Sequence, residues 1–76
     1  MAVMRYVVTG GTGFIGRRVV ARLLSRRADA EVWVTVDATS TARFHRLAQD
    51  WGPRAHALPA DTEAPTAHHV VNCRGR

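Results

Sequence analysis

The chain has 76 residues, a formal net charge of +5 and a single cysteine, Cys73. That length allows one small domain that buries only about 60% of its unfolded surface, and one cysteine excludes an internal disulfide framework. No apolar run approaches the roughly 18 residues that span a bilayer, and the run before the first glycine is a poor signal peptide, so a reducing, cytoplasmic setting is expected.

The charge raises nucleic acid as a partner. All eleven basic residues are Arg, however, spread over helix faces and both ends without interleaved aromatics. That distribution argues for solvated faces rather than a phosphate-tracking surface. A small basic interaction module stays open as an alternative reading, as does a truncated product with no activity of its own.

Residues 5–9 form a short, mostly apolar run ended by glycines, as expected of a strand buried on both faces. The glycines lead into a helical pattern in which Ile15, Val19 and Leu23 repeat every four residues, widened by Val20 and Leu24. Arg18, Arg22 and Arg26 occupy the opposite, solvated side, and Arg26 and Arg27 suit the negative end of the helix dipole. Residues 31–36 are rich in β-branched side chains and read as a second strand.

Thr39 or Ser40 is placed to cap a second helix, whose apolar face is Phe44, Leu47, Ala48 and Trp51 and whose stop is Gly52-Pro53. Residues 54–58 read as a third strand closed by Pro59, and residues 60–67 show no helical stripe. Residues 69–73 read as a fourth strand. The order β-α-β-α-β-loop-β predicts an α/β fold with a parallel sheet of about four strands and right-handed crossovers. With no helix in the third crossover, the helices should lie mainly on one face. An uncovered apolar second face would leave the isolated chain unstable, self-associating or dependent on a partner.

Thr9-Gly10-Gly11-Thr12-Gly13-Phe14-Ile15-Gly16 sits between the first strand and the first helix, inside a β-α-β unit of about 30 residues. Such a turn presents backbone N–H groups and a helix amino terminus to phosphate oxygens. Gly10 permits the sharp turn, Gly13 a close approach and Gly16 tight packing of helix on strand. Gly10, Thr12, Gly13, Phe14, Ile15 and Gly16 are therefore the candidate diphosphate residues. A nucleotide-triphosphate loop fails, because Arg17 and Arg18 stand where Lys and a hydroxyl residue are needed.

Asp37, about 20 residues on at the end of the second strand, can accept hydrogen bonds from an adenosine ribose. Its charge favours NAD over NADP, while Arg43 on the second helix could reach a 2′-phosphate.

These residues resemble the extended short-chain dehydrogenase/reductase superfamily, which includes the NAD-dependent epimerases and dehydratases. The turn fits that group's TGxxGxxG pattern. Residues 32–36, followed by Ser40, Arg43, Phe44 and Leu47, are similar to its thioester-reductase-like and male-sterility-type branch. The resemblance implies a Rossmann domain, of which residues 1–76 would be the amino-terminal part, with the substrate and catalytic part absent. It implies NAD or NADP as cofactor, the branch leaning to NADP. It further implies that Asp61, with Thr62 beside it, meets the adenine, and that Asn72 leads into the segment near the cofactor. There Arg74 and Gly75 take the place of two alanines.

The superfamily's catalysis implies a Tyr with a Lys four residues later. The chain contains no Lys, and its one Tyr, Tyr6, lies in the first strand, where packing is expected. No catalytic residue is therefore assigned. Nor is a metal ligand: His68 and His69 should face opposite sides of the sheet, and His45 and His56 read as isolated surface residues.

Overall fold

The computed structural model describes residues 3–59, 67 and 69–73. Strand β1 (Met4–Thr9) leads to helix α1 (Phe14–Arg26), strand β2 (Ala30–Val36), helix α2 (Thr41–Trp51), strand β3 (Ala55–Pro59) and strand β4 (His69–Asn72). The strands form one sheet in the order β3-β2-β1-β4, and every pairing is parallel. This is the α/β arrangement expected, a partial Rossmann-type fold. A parallel neighbour requires a crossover, and α1 and α2 supply the first two. Both helices bury their apolar sides in one cluster with Tyr6, Val8, Val32, Val34 and Val36, so both lie on the same face.

The stripe that α1 buries differs from the one expected. Gly16, Val20 and Leu24 are its buried residues, whereas Ile15 is 65% exposed and Val19 and Leu23 are half-buried. The helix is turned by about one residue, some 100°, because Gly16 must face the glycine turn. A Cβ there would lie 2.0 Å from the carbonyl oxygen of Gly10 and 2.8 Å from Gly11 Cα. Gly16 thus packs on the turn itself rather than on the strand.

On the second helix Phe44 is buried at 4% exposure and meets Trp51 at 5.9 Å between ring centroids. Gly52 ends α2 with φ 88°, in the region that favours glycine. Residue 54 does not begin β3. Its guanidinium instead donates to the carbonyls of Leu24 (2.6 Å), Arg27 (2.8 Å) and Ala30 (2.9 Å). These carbonyls lie where α1 ends and β2 begins, and that of Arg27 also accepts the Ala30 N–H at 3.1 Å.

Alternation places Val7, Trp33, His56, Leu58 and Val70 on the second face. Among the described residues no helix covers it. On this face Val7 and Leu58 are buried at 7% and 6% exposure, while Val70 is 70% exposed. His56 is not isolated: its Nε2 pairs with Glu31 Oε1 and its ring lies 4.7 Å from that of Trp33. His45 meets Phe44 edge-on at 5.8 Å. No described helix is long and apolar enough to cross a membrane.

Candidate functional site

The parallel sheet delivers the carboxyl ends of β1 and β2 to one edge, where ligands of open α/β sheets bind. At that edge lies a groove of about 550 Å³, bordered by Gly10, Thr12, Gly13, Asp37, Arg43 and Cys73, among others. Its first wall is the glycine turn. Gly10 has φ 72°, which an L side chain rarely adopts. Its carbonyl accepts the Gly13 N–H at 3.1 Å, closing the turn. Thr12 is buried at 5% exposure.

Gly13 is the amino-terminal cap of α1, in extended conformation (φ −76°, ψ 175°), with no side chain bonded to the helix end and no acid in the first turn. The first N–H groups of a helix have no partner within it, so those of Phe14, Ile15 and Gly16 remain for a ligand. The helix dipole adds partial positive charge there. The side chains of Phe14 and Ile15 point away from this role, being 69% and 65% exposed, and border a separate hollow on the outside of α1.

The glycines divide by purpose. Gly10 is needed for its backbone angle and Gly16 for close packing. Gly13 is needed for neither, because its φ is ordinary and an added Cβ would meet only Gly10 O, at 3.4 Å. What a side chain at residue 13 would fill is the groove.

The second wall is the turn after β2. Asp37 Oδ1 accepts the backbone N–H groups of Thr39 (3.0 Å) and Ser40 (2.9 Å) and the hydroxyls of Thr39 (2.7 Å) and Ser40 (3.0 Å). Asp37 O accepts the Ser40 and Thr41 N–H groups at 3.2 and 3.1 Å and the Thr41 hydroxyl at 2.7 Å. This is an Asx-type turn that leads into α2. Ser40 stands at the N-cap position, as one of the two residues expected there, but its hydroxyl makes no bond to the helix end; the hydroxyls of Thr39 and Ser40 serve the Asp37 carboxylate instead. The hydrogen bonds from Thr39 and Ser40 lower the Asp37 pKa to about 2. Among the described residues no donor reaches its other oxygen, Oδ2. Arg43 is exposed on α2 and borders the same groove.

Asn72 sits at the end of β4, paired in register with Thr9, whose hydroxyl donates to Asn72 Oδ1 at 2.8 Å. It lies beside the groove rather than on its border. Cys73, whose N–H donates to Thr9 O at 2.9 Å, does border it. Asp61 and Thr62 lie outside the described residues, as do His68, Arg74 and Gly75. Tyr6 is buried in β1 at 7% exposure and stacks on His69 at 5.0 Å, so it packs as expected. Among the described residues no group of three or more His, Cys, Asp or Glu could hold a metal ion.

Sequence reasoning missed Thr39 and Ser40 as residues of the groove. The run Asp37-Ala38-Thr39-Ser40-Thr41 carried the signal, being an acid followed by hydroxyl residues in cap spacing. A family model described as the NAD dependent epimerase/dehydratase family matches residues 6–73. Neither the curated proteins nor the solved structures contain a match.

Proposed function

The chain belongs to the NAD dependent epimerase/dehydratase family, and on that premise we propose that it holds the adenosine and diphosphate half of an NAD(P) molecule in the groove between Gly10 and Arg43. The observation that carries this reading is Gly13, a glycine that neither backbone angle nor internal packing requires, standing where a side chain would fill the groove. The uncapped amide groups of Phe14, Ile15 and Gly16 take the diphosphate. Asp37 Oδ2 accepts a ribose hydroxyl while Oδ1 continues to hold the turn of Thr39 and Ser40. With a pKa of about 2 the carboxylate is charged throughout the neutral range and repels a 2′-phosphate, so NAD binds more tightly than NADP. Arg43, the nearest cation along the groove, narrows that difference without reversing it. Asp61, Thr62 and Asn72 extend the site toward the adenine and the rest of the dinucleotide.

We read the chain as the extended short-chain dehydrogenase/reductase type, with oxidoreductase or epimerase ancestry. A bound dinucleotide supplies hydride chemistry. The residues on this chain bind and orient it, and none supplies the proton exchange that turnover needs, since there is no Lys and the one Tyr is buried in β1. The assignment is therefore binding without stand-alone catalysis.

Isothermal titration of the folded chain with NAD, NADP and ADP-ribose tests the assignment. Heat with NAD and ADP-ribose, lost in Gly13→Ser, is the expected result. A serine there is a good helix cap, but its hydroxyl takes an amide that the phosphate needs and its Cβ enters the groove. No heat with any of the three ligands overturns the assignment.

A further inference from the structure

The outer flank of α1 is apolar and basic at its rim, and among the described residues no other element packs on it. Phe14 and Ile15 are 69% and 65% exposed, Val19 and Leu23 are half-buried, and together with Arg18 and Arg22 they border a hollow of about 420 Å³. The Arg18 guanidinium lies over the Phe14 ring, 4.8 Å from its centroid, and holds the aromatic in place at the mouth. No Asp or Glu occurs between residues 14 and 28, so the rim carries one sign of charge only.

We propose that this flank is a docking site for an amphipathic, acidic helix of another protein chain. Single exposed apolar side chains are ordinary, but a continuous patch with polar margins marks an interaction surface. The patch runs along Phe14 to Leu23, about 14 Å at 1.5 Å per residue, which matches two to three turns of a partner helix. A concave surface with a one-sign rim fits a helix whose apolar stripe enters the hollow and whose Asp or Glu residues meet Arg18 and Arg22. A second copy of this chain is disfavoured, since it would bring the same arginines against their own kind. A lipid surface fits less well, because Gly16, Val20 and Leu24 are committed to the core and only one narrow flank is left for insertion. The proposal is independent of dinucleotide binding, which uses the backbone of Phe14 and Ile15 and not their side chains.

The probe is a labelled synthetic helical peptide of about 18 residues with Leu at i, i+3, i+4 and i+7 and Glu on both margins, long enough to be helical. Its anisotropy is followed against the full chain. Saturable binding that weakens with salt is expected, and a scrambled peptide of the same composition should bind at least about tenfold more weakly. Arg18→Glu with Arg22→Glu should cost about tenfold in affinity and pass the preference to a peptide with Lys on its margins. Ile15→Ser, at an exposed position, should weaken binding without charge change and serves if the double variant does not fold. Equal binding of the scrambled peptide, an affinity unmoved by both variants, a dimer in sedimentation that Ile15→Ser dissolves, or capture by phosphatidylserine vesicles but not by the peptide would each overturn the proposal.

Discussion

Replacing Gly16 by alanine separates the scaffold of the turn from its ligand. Alanine should help a helix by up to about 1 kcal/mol relative to glycine. Here the new Cβ would stand 2.0 Å from Gly10 O, 2.8 Å from Gly10 C and 2.8 Å from Gly11 Cα, where carbon contacts settle at about 3.5 Å or more. All three atoms belong to the backbone, so no rotamer change can relieve the clash. Overpacking costs about 1–3 kcal/mol where side chains can give way, and more where they cannot. The net effect is a loss of at least about 2 kcal/mol. At about 4–8 °C per kcal/mol for a domain of this size, the melting temperature should drop by roughly 10 °C or more. Thermal unfolding followed by circular dichroism reads this directly, with Gly13→Ser as the reference. The reference should melt within about 3 °C of the parent, because a cap replaces a cap. A Gly16→Ala chain that melts with the parent would refute the close packing of α1 on the turn.

Three further outcomes follow from the geometry. Leu24→Ala should destabilise by about 2–5 kcal/mol and Ile15→Ala by no more than about 0.5 kcal/mol, since Leu24 is 7% exposed and Ile15 65%; urea midpoints compare them. Arg54→Ala removes three guanidinium bonds to carbonyls and should cost about 2–3 kcal/mol, and Arg54→Lys should recover little of it, because an ammonium lacks the planar fork. Asp37 has a folded pKa of about 2 against an ordinary 3.8. Its contribution to stability is complete above pH 3.8 and is lost as the pH falls toward 2. Urea midpoints measured across that window should decline, and Asp37→Asn should flatten the decline.

The order of elements and the 3-2-1-4 sheet were legible because alternating strand and helix patterns admit few right-handed parallel topologies. The glycine turn was legible for the same reason, its spacing being tied to its place after a strand. The buried side of α1 was misread by about one residue because Gly16 adds nothing to a hydrophobic count, yet its contact with Gly10 orients the whole helix. Ser40 was legible as the cap position of α2, but its hydroxyl bonds to the Asp37 carboxylate and not to the helix end, because the turn after β2 brings the two together first. The pairing of His56 with Glu31 depends on the parallel register of β2 and β3, which places His56 beside Trp33. A side-chain period of two cannot supply that register. Nothing in the spacing marks Arg54, since its acceptors lie 24 to 30 residues away.

Those long separations govern how the chain comes apart. Arg54 can bond to the end of α1 and the start of β2 only once α2 has carried the chain back to the sheet. A fluctuation that lifts β3 away therefore strips the donor from three carbonyls at once, and α1 and β2 fray at their shared corner in the same event. The two β-α-β halves are thereby coupled, and amide exchange at that corner should follow the opening of β3 rather than local breathing of either helix.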